Sequence, residues 1–123
     1  MAGPHDDCLF CSLYRNGDHV AATKGFVAIR DINPQAPVHL LVIPETHLDT
    51  FRDVGELPSE EARRMLEFVA EVARDAGLDD YRVQVNVGPS AGQTVFHLHW
   101  HVLGRKHLHA THLPDDDTGV TEL

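Results

Sequence analysis

The sequence has little that would suit a membrane segment or a nucleic-acid surface. No apolar run approaches the roughly 20 residues needed to cross a bilayer, and residues 1–7 lack the basic and apolar regions of a signal peptide. Lysine and arginine total 10 against 19 aspartates and glutamates, which gives a net charge of −9. Because phosphate backbones are held by clustered cations, we expect no binding to nucleic acid. The missing apolar run and signal peptide lead us to expect a cytoplasmic protein that does not bind membranes.

The remaining composition suits one small folded domain. Apolar residues make up 42% of the 123 residues, which is enough to fill a core, and no stretch is of low complexity. A single phosphate could still bind despite the negative charge. Oriented backbone N–H groups and imidazoles act locally, whereas distant carboxylates are screened beyond a Debye length of ~8–10 Å.

The most informative segment is a run of alternating histidines, His97, His99 and His101. Residues two apart on an extended chain share a face, so the three imidazoles are predicted to line one cleft. The residues between them are apolar, as expected where the other face of a strand packs on a core. Taken alone, the run fits an exposed polar face, a metal site or a catalytic strand.

Other segments predict the elements around this run. Residues 25–30 and 38–43 predict strands, and apolar residues at helical spacing predict a long helix with Ser59 as its N-cap, ending near Gly77. Residues 81–87 alternate between apolar and polar side chains. This alternation predicts a strand whose polar face joins the histidine face.

A short loop, residues 88–94, separates that strand from the histidines and could pair the two strands antiparallel. Gly92 permits a ligand to approach the backbone closely, and the Thr94 hydroxyl would lie beside His99. The loop would therefore supply hydrogen-bond donors for a phosphate next to a candidate nucleophile.

Together these segments resemble the histidine triad (HIT) superfamily. The H-x-H-x-H signature with apolar residues at the x positions is matched in full, within the similar segments 31–47 and 91–104. The resemblance implies an α+β fold with an antiparallel sheet of about five strands, one long and one short helix, and a homodimer. Length and composition predict a single domain over residues 1–123, and the resemblance covers a core at about 8–105. Polar terminal segments are usually loose, so we expect flexible termini at 1–7 and 106–123, with metal binding by the tail histidines as the competing possibility.

Within the superfamily the chain is most similar to Hint-type nucleoside phosphoramidate hydrolases. There the middle histidine, here His99, attacks the α-phosphorus of a nucleoside 5′-monophosphate derivative and forms a nucleotidyl-histidine that water hydrolyses. Imidazole suits this work because its pKa of about 6.5 leaves it largely neutral at pH 7. The resemblance makes His101 the contact to the phosphate or leaving group, with His39 and His97 as supporting catalytic residues. It implies no organic cofactor.

The resemblance also assigns residues that bind the substrate, a purine nucleotide derived from AMP or GMP. Asp31 would accept hydrogen bonds from the ribose hydroxyls, while Ile32 and Phe10 would contact the base. The phosphate-side positions would be Asn86, Gly92, Gln93, Thr94 and Val95, together with His99 and His101. Without the surrounding motif, Asp31 and Asn86 would fit better as residues that cap a turn or pair with the backbone.

Cys8 and Cys11 form a separate C-x-x-C motif, whose spacing allows metal chelation, a redox pair or a disulfide. Many bacterial HIT members bind one structural zinc ion through such a pair and two histidines. By this resemblance the zinc ligands would be Cys8, Cys11, His47 and His97. Two thiolates and two imidazoles suit closed tetrahedral zinc, and reduced or buried cysteines are the alternative.

Three features depart from the Hint pattern. Glu45 stands where the family often has lysine, only Gly104 separates Leu103 from Arg105, and the tail beyond Arg105 lacks the Hint C-terminal pattern. Two alternative functions therefore stay open. One is a dinucleoside polyphosphate hydrolase, and the other is a nucleotide-binding sensor or interaction protein without turnover.

Overall fold

The computed structural model describes residues 8–106. The flexible termini expected at residues 1–7 and 106–123 therefore lie outside the described residues, except for residue 106. The elements in chain order are α1 (Leu9–Asn16), β1 (Ala21–Thr23), β2 (Phe26–Arg30), β3 (Val38–Pro44), a 3₁₀ helix (Phe51–Glu56), α2 (Ser59–Asp75), β4 (Tyr81–Gln84), a second 3₁₀ helix (Pro89–Ala91) and β5 (Trp100–Gly104).

The strands form one antiparallel sheet of five in the order β1-β2-β3-β5-β4. This arrangement, with the long α2 and the short α1, confirms the predicted α+β fold class. The last strand, β5, lies between β3 and β4, so His101 is opposite Leu41 on one side and Gln84 on the other. The polar face of β4 therefore meets the histidine face, as predicted.

Both faces of the central strands are buried. Phe26, Ala28, Leu40 and Val42 belong to the core beneath α2, together with Leu98, Trp100 and Val102 from the histidine segment. The opposite face carries Val27, Ile29, Leu41 and Ile43, which cluster with Phe10 of α1. Because each face is covered by a helix, β2 and β3 are nearly continuous apolar runs. His39 on β3 and His101 on β5 lie on this α1 side of the sheet.

Two predicted boundaries were wrong. Ser59 is the first residue of α2 and Pro58 is its N-cap, because the Pro58 carbonyl already accepts a hydrogen bond from the Ala62 N–H at 2.9 Å. No side chain caps this end, although two glutamates in the first turn suit the positive end of the helix dipole. The strand expected over residues 81–87 ends at Gln84.

The histidine segment is also less regular than predicted. Its strand begins at Trp100, so only His101 lies in β5, while His97 and His99 precede it. The Leu98 N–H donates to the Leu48 carbonyl at 2.6 Å, outside the sheet ladder. The alternation nevertheless persists, because the apolar residue that follows each of the three histidines lies in the core beneath α2.

Among the helices in the described part of the chain, none combines the length and the apolar character that crossing a lipid bilayer requires.

Candidate active site

Three imidazoles form a row on the face of the sheet that α1 covers, on and beside the inner strands β3 and β5. The ring of His101 on β5 lies between that of His39 on β3 and that of His99, with ring centroids 5.1 Å apart in each pair. His97 does not join this row. It is fully buried and faces the two cysteines, so the expectation that all three histidines of the run line one cleft was wrong.

Hydrogen bonds fix the tautomers of His39 and His101. The Gln35 backbone N–H donates to His39 Nδ1 at 3.0 Å, so this nitrogen carries a lone pair and the proton of neutral His39 is on Nε2. His39 Nε2 lies 2.9 Å from His101 Nδ1 and donates its proton there. Neutral His101 therefore carries its own proton on Nε2, the nitrogen that is left for a ligand.

His99 has the complementary tautomer. Its Nδ1 lies 2.7 Å from the His97 carbonyl oxygen, and since a carbonyl can only accept, Nδ1 carries the proton. The Nε2 atom of His99 is then the one with a lone pair. The row thus offers a nucleophilic nitrogen on His99 beside a hydrogen-bond donor on His101.

Burial keeps these imidazoles neutral. Burial, followed by the nearby His99 and His39, lowers the pKa of His101 to about 4. Burial also lowers the pKa of His99, against smaller opposing effects from the His97 carbonyl and Asp31. The pKa of His39 is lowered by burial as well, with Asp31 opposing. At pH 7 all three rings are therefore in the state that the tautomers above require.

Asp31 follows β2 and faces the row with one oxygen. Its Oδ1 accepts a hydrogen bond from the Asn33 N–H at 2.7 Å, which is the turn-capping role considered from sequence. Its Oδ2 lies 3.3 Å from His39 Nε2. Asp31 therefore stabilises a turn and still presents an acceptor beside the histidines.

The two residues expected to contact a base differ sharply in exposure. Ile32 is 90% exposed, so its side chain is available to a ligand, whereas Phe10 is 5% exposed and packs with the sheet. A ring buried to this extent offers little surface to a base. The assignment of Ile32 stays a prediction, and the surroundings of Phe10 suggest a different role.

Hydrogen bonds among its own residues hold the loop after β4 in shape. Gly92 has a φ of 98°, in the left-handed region that favours glycine. The Asn86 amide donates to the Ala91 carbonyl at 2.8 Å, and Thr94 is exposed. Gln93 is buried: its Oε1 accepts from the Gly88 N–H, and its Nε2 donates to the carbonyls of Asp49 and Val95. The side chain of Gln93 thus holds the loop together instead of offering donors to a phosphate.

A second group of side chains lies behind the row. One donor atom each from Cys8, Cys11, His47 and His97 lies within 4.8 Å of the others. Cys8 Sγ and Cys11 Sγ are 3.5 and 3.6 Å from His97 Nδ1, and Cys11 Sγ is 3.3 Å from His47 Nδ1. Tetrahedral zinc with Zn–S near 2.3 Å and Zn–N near 2.0–2.1 Å separates such donors by roughly 3.5 Å. The side chains predicted as zinc ligands are thus together at a suitable spacing.

Hydrogen bonds at the other ring nitrogens support this fit. His97 Nε2 lies 2.8 Å from the Pro44 carbonyl oxygen, and His47 Nε2 lies 2.9 Å from Asp49 Oδ1. Both partners accept, so both Nε2 atoms carry protons and both Nδ1 lone pairs face the thiols. Such outer partners orient metal-binding histidines in proteins.

The same test disfavours a metal at the row. Donor atoms of Asp31, His39 and His101 also lie within 4.8 Å of one another. However, the Gln35 N–H occupies the Nδ1 lone pair of His39, which keeps the proton on Nε2, where a metal would have to bind. Since His97 faces the thiols, the three-histidine metal site considered from sequence does not form either.

A cavity of about 390 Å³ opens beside the row, at the end of the sheet. Asp31 and His39 line it together with Val72 and Asp75 of α2, whereas His99 and His101 do not. The cavity therefore lies on the α2 side of the sheet. It is beside the row of imidazoles and does not include the candidate nucleophile His99.

Sequence reasoning missed the groups that orient these histidines. Three are backbone groups, the N–H of Gln35 and the carbonyls of Pro44 and His97, and every residue has such groups. Asp49, two residues after His47, is the one side chain among them. A carboxylate that close to a predicted metal ligand was a signal that could have been read.

Known proteins and solved structures are similar to this chain in sequence and fold. A purine nucleoside phosphoramidase of Escherichia coli (strain K12) is 40% identical over 108 residues, covering 84% of this chain and 91% of that protein. The solved structure of a HIT family hydrolase from Legionella pneumophila Philadelphia 1 is 39% identical with a TM-score of 0.74, and the match covers 82% of this chain and 95% of that one. A zinc-bound histidine triad family protein from Mycobacterium smegmatis is 31% identical with a TM-score of 0.66, over 82% of this chain and 76% of that one.

The family model that matches the sequence is the HIT domain, over residues 15–108. This range contains the whole sheet, α2 and the row of imidazoles. The chain belongs to the HIT domain family.

Proposed function

We propose that this protein is a nucleotidyl hydrolase that cleaves purine nucleoside 5′-phosphoramidates, or related adenylated compounds, to a nucleoside monophosphate. One observation carries the proposal: His99 presents an unprotonated Nε2 beside a protonated Nε2 on His101. The name and the 40% identity of the Escherichia coli relative support the substrate class.

In the proposed reaction His99 Nε2 attacks the α-phosphorus, and the bond from phosphorus to the leaving nitrogen breaks. The proton of His99 stays on Nδ1 and is hydrogen-bonded to the His97 carbonyl, which stabilises the positive charge that the ring gains. As the P–N bond breaks, the leaving nitrogen takes the Nε2 proton of His101. Water then attacks the nucleotidyl-His99 and gives a proton back to His101 Nε2. In total the hydroxyl of the water is added to phosphorus, and its proton replaces the one that the leaving amine took from His101.

The nucleotide would be held by groups on both sides of the row. Asp31 Oδ2 would accept from the ribose hydroxyls, and the exposed Ile32 would pack against the base. The phosphate would meet the loop at Gly92, Thr94 and Val95, where the left-handed glycine exposes the backbone. No group here requires an organic cofactor.

We also propose one structural zinc ion, bound by Cys8, Cys11, His47 and His97. The donor spacing and the two Nδ1 lone pairs support it, as does the zinc-bound relative from Mycobacterium smegmatis. When bound, zinc supplies a static cross-link with no open coordination position. It would hold α1 against the sheet.

A cytoplasmic homodimer stays our expectation for the assembled protein. Within the described residues β4 is an outer strand of the sheet, and its Val83 is exposed, as is Leu66 of α2. An outer strand with an exposed apolar side chain favours pairing with another chain. Light scattering after size-exclusion chromatography tests this directly, because a monomer mass at micromolar concentration would contradict it.

The decisive experiment mixes the zinc-loaded protein with adenosine 5′-phosphoramidate and measures AMP by chromatography. We expect AMP release, and acid quenching of a single turnover should trap a protein-bound adenylyl group on His99. Release only from diadenosine polyphosphates would favour the dinucleoside polyphosphate hydrolase. Tight AMP binding without any nucleotidylation would overturn the proposal of an enzyme and favour a nucleotide-binding sensor.

A further inference from the structure

Phe10 packs directly against the candidate nucleophile. Its ring centroid lies 4.8 Å from that of His99, with the two ring planes 86° apart. The same Phe10 ring lies 6.3 Å from that of His97, at 65°. Phe10 is therefore in contact with both the nucleophile of the row and a ligand of the proposed zinc site.

The position of Phe10 on α1 depends on the two cysteines. Cys8 is the N-cap of the helix, and its Sγ accepts a hydrogen bond from the Cys11 N–H at 3.3 Å. Phe10 lies between these two residues. A metal held by both thiols would fix the first turn of α1, and with it the Phe10 ring.

A second connection reaches His99 through the backbone. The side chain of His97 faces the thiols, while its carbonyl accepts a hydrogen bond from His99 Nδ1–H. The carbonyl alone is a weak restraint on ring rotation, because a single hydrogen bond contributes little net free energy. A perpendicular aromatic ring packed against His99 adds the missing steric restraint.

We propose that Phe10 is a positioning residue that couples the Cys8/Cys11/His47/His97 centre to His99. With metal bound, α1 holds the Phe10 ring against the His99 ring, so that Nδ1–H keeps its hydrogen bond to the His97 carbonyl and Nε2 stays directed at the substrate. This role replaces the contact to the base that family resemblance assigned to Phe10. Its kinetic consequence rests on the proposed function, but the ordering of the His99 ring does not.

The first test compares Phe10→Leu with Tyr14→Leu in the zinc-loaded full chain. Tyr14 is the other aromatic residue of α1 that packs on the same cluster, but it pairs with His19 and not with His99. We expect Phe10→Leu to slow single-turnover nucleotidylation about tenfold or more, as misplacement of a reacting group does. AMP affinity should stay within about threefold, whereas Tyr14→Leu should change neither. Weaker AMP binding at an unchanged rate would instead establish the base contact and overturn the proposal.

The second test needs no turnover, so it separates this proposal from the proposed function. Imidazole ¹⁵N NMR at pH 8 should show His99 as a single Nδ1–H tautomer in the zinc-loaded wild type. Averaging between tautomers is expected in zinc-loaded Phe10→Leu and in chelator-treated wild type. An unchanged single tautomer in both would overturn the coupling. Phe10→Met, which keeps most of the buried volume, serves if the leucine variant does not fold, and zinc content is measured for each sample.

Discussion

His97 directs its imidazole to the two cysteines and its carbonyl oxygen to His99 Nδ1, at 2.7 Å. One residue therefore belongs to the proposed metal centre through its side chain and to the candidate catalytic row through its backbone. This relationship explains why His97, the first histidine of the run, is fully buried: both its side chain and its carbonyl have partners inside the protein. Loss of the proposed metal can therefore disturb the row of imidazoles although no residue that contacts the nucleotide is changed.

Replacing His99 with alanine should remove turnover and keep binding. Without an imidazole at this position no nucleotidyl intermediate can form, so hydrolysis of adenosine 5′-phosphoramidate should fall on the order of a thousandfold or more. AMP affinity, measured by titration calorimetry, should be comparatively intact because Asp31 and the loop are unchanged. His19→Ala is the control, since His19 lies outside the row and contacts the Leu13 carbonyl. Near-normal turnover in His99→Ala would refute the assignment.

Replacing Cys8 with serine should abolish zinc binding and reduce stability. The thiolate at the N-cap of α1 is one of four donors, and a hydroxyl is a poor substitute for it. We expect the melting temperature to fall by about 5 °C or more, since a loss of 1 kcal/mol already shifts it by roughly 4–8 °C in a domain of this size class.

Treatment of the wild type with a chelator is the control for the stability of Cys8→Ser. Chelator should lower the melting temperature of the wild type toward that of Cys8→Ser, and should leave Cys8→Ser unchanged. If wild type purified under reducing, metal-replete conditions contains no zinc, the metal proposal fails irrespective of the melting curves.

The histidines should make the fold acid-sensitive in a defined range. The pKa of His101 is lowered to about 4 by burial and by the facing His99 and His39, with Asp31 opposing. The unfolded chain, with its histidine pKa near 6.5, therefore binds the proton before the folded chain does. Stability contributed by neutral His101 is complete above pH 6.5 and is lost as the pH falls toward 4.

Urea unfolding at pH 7.5 and pH 5 measures this effect. The wild type should lose stability between the two values, and His101→Asn should lose less, because it lacks the group that titrates. An equal loss in the two proteins would show that His101 is not held neutral by its surroundings.

The sequence predicted what depends on side-chain patterns. The apolar runs of β2 and β3 and the helical spacing of α2 were recognisable because each face is covered by a helix. The α2 N-cap was misplaced because Ser59 has the favoured side chain, while the carbonyl that begins the helix belongs to Pro58. The strand at His97–His99 was overestimated because alternation does not show where ladder hydrogen bonds stop.

In the site, too, the sequence indicated side chains but not the backbone groups or the packing that orient them. The resemblance named the two thiols and the two histidines of the proposed metal centre, since they are side chains in recognisable positions, and the structure brings their donor atoms together. The tautomers depend on the Gln35 N–H and two carbonyls, which leave no mark in a sequence. The burial of Phe10 against His99 required the three-dimensional packing of α1 on the sheet.

The Gln35 backbone N–H can be removed by a single substitution. Gln35→Pro deletes the donor to His39 Nδ1, which would free the proton of His39 to move to that nitrogen and break the donation to His101. Turnover should fall roughly tenfold or more, which is part of the 10²–10⁴-fold that a positioned proton donor contributes.

Gln35→Ala is the matched control because it keeps the N–H and loses only the side-chain contact to the Asn33 carbonyl. It should retain nearly full turnover, while ¹⁵N NMR of Gln35→Pro should show His39 losing its single Nε2–H tautomer. If the proline variant folds with an altered His39 tautomer and still turns over normally, His39 does not act through His101. If the alanine variant loses as much activity as the proline variant, the side chain and not the backbone donor is what matters. Because the two variants share the same loop position, the difference between them isolates one hydrogen bond, and that bond sets which nitrogen of His101 carries its proton.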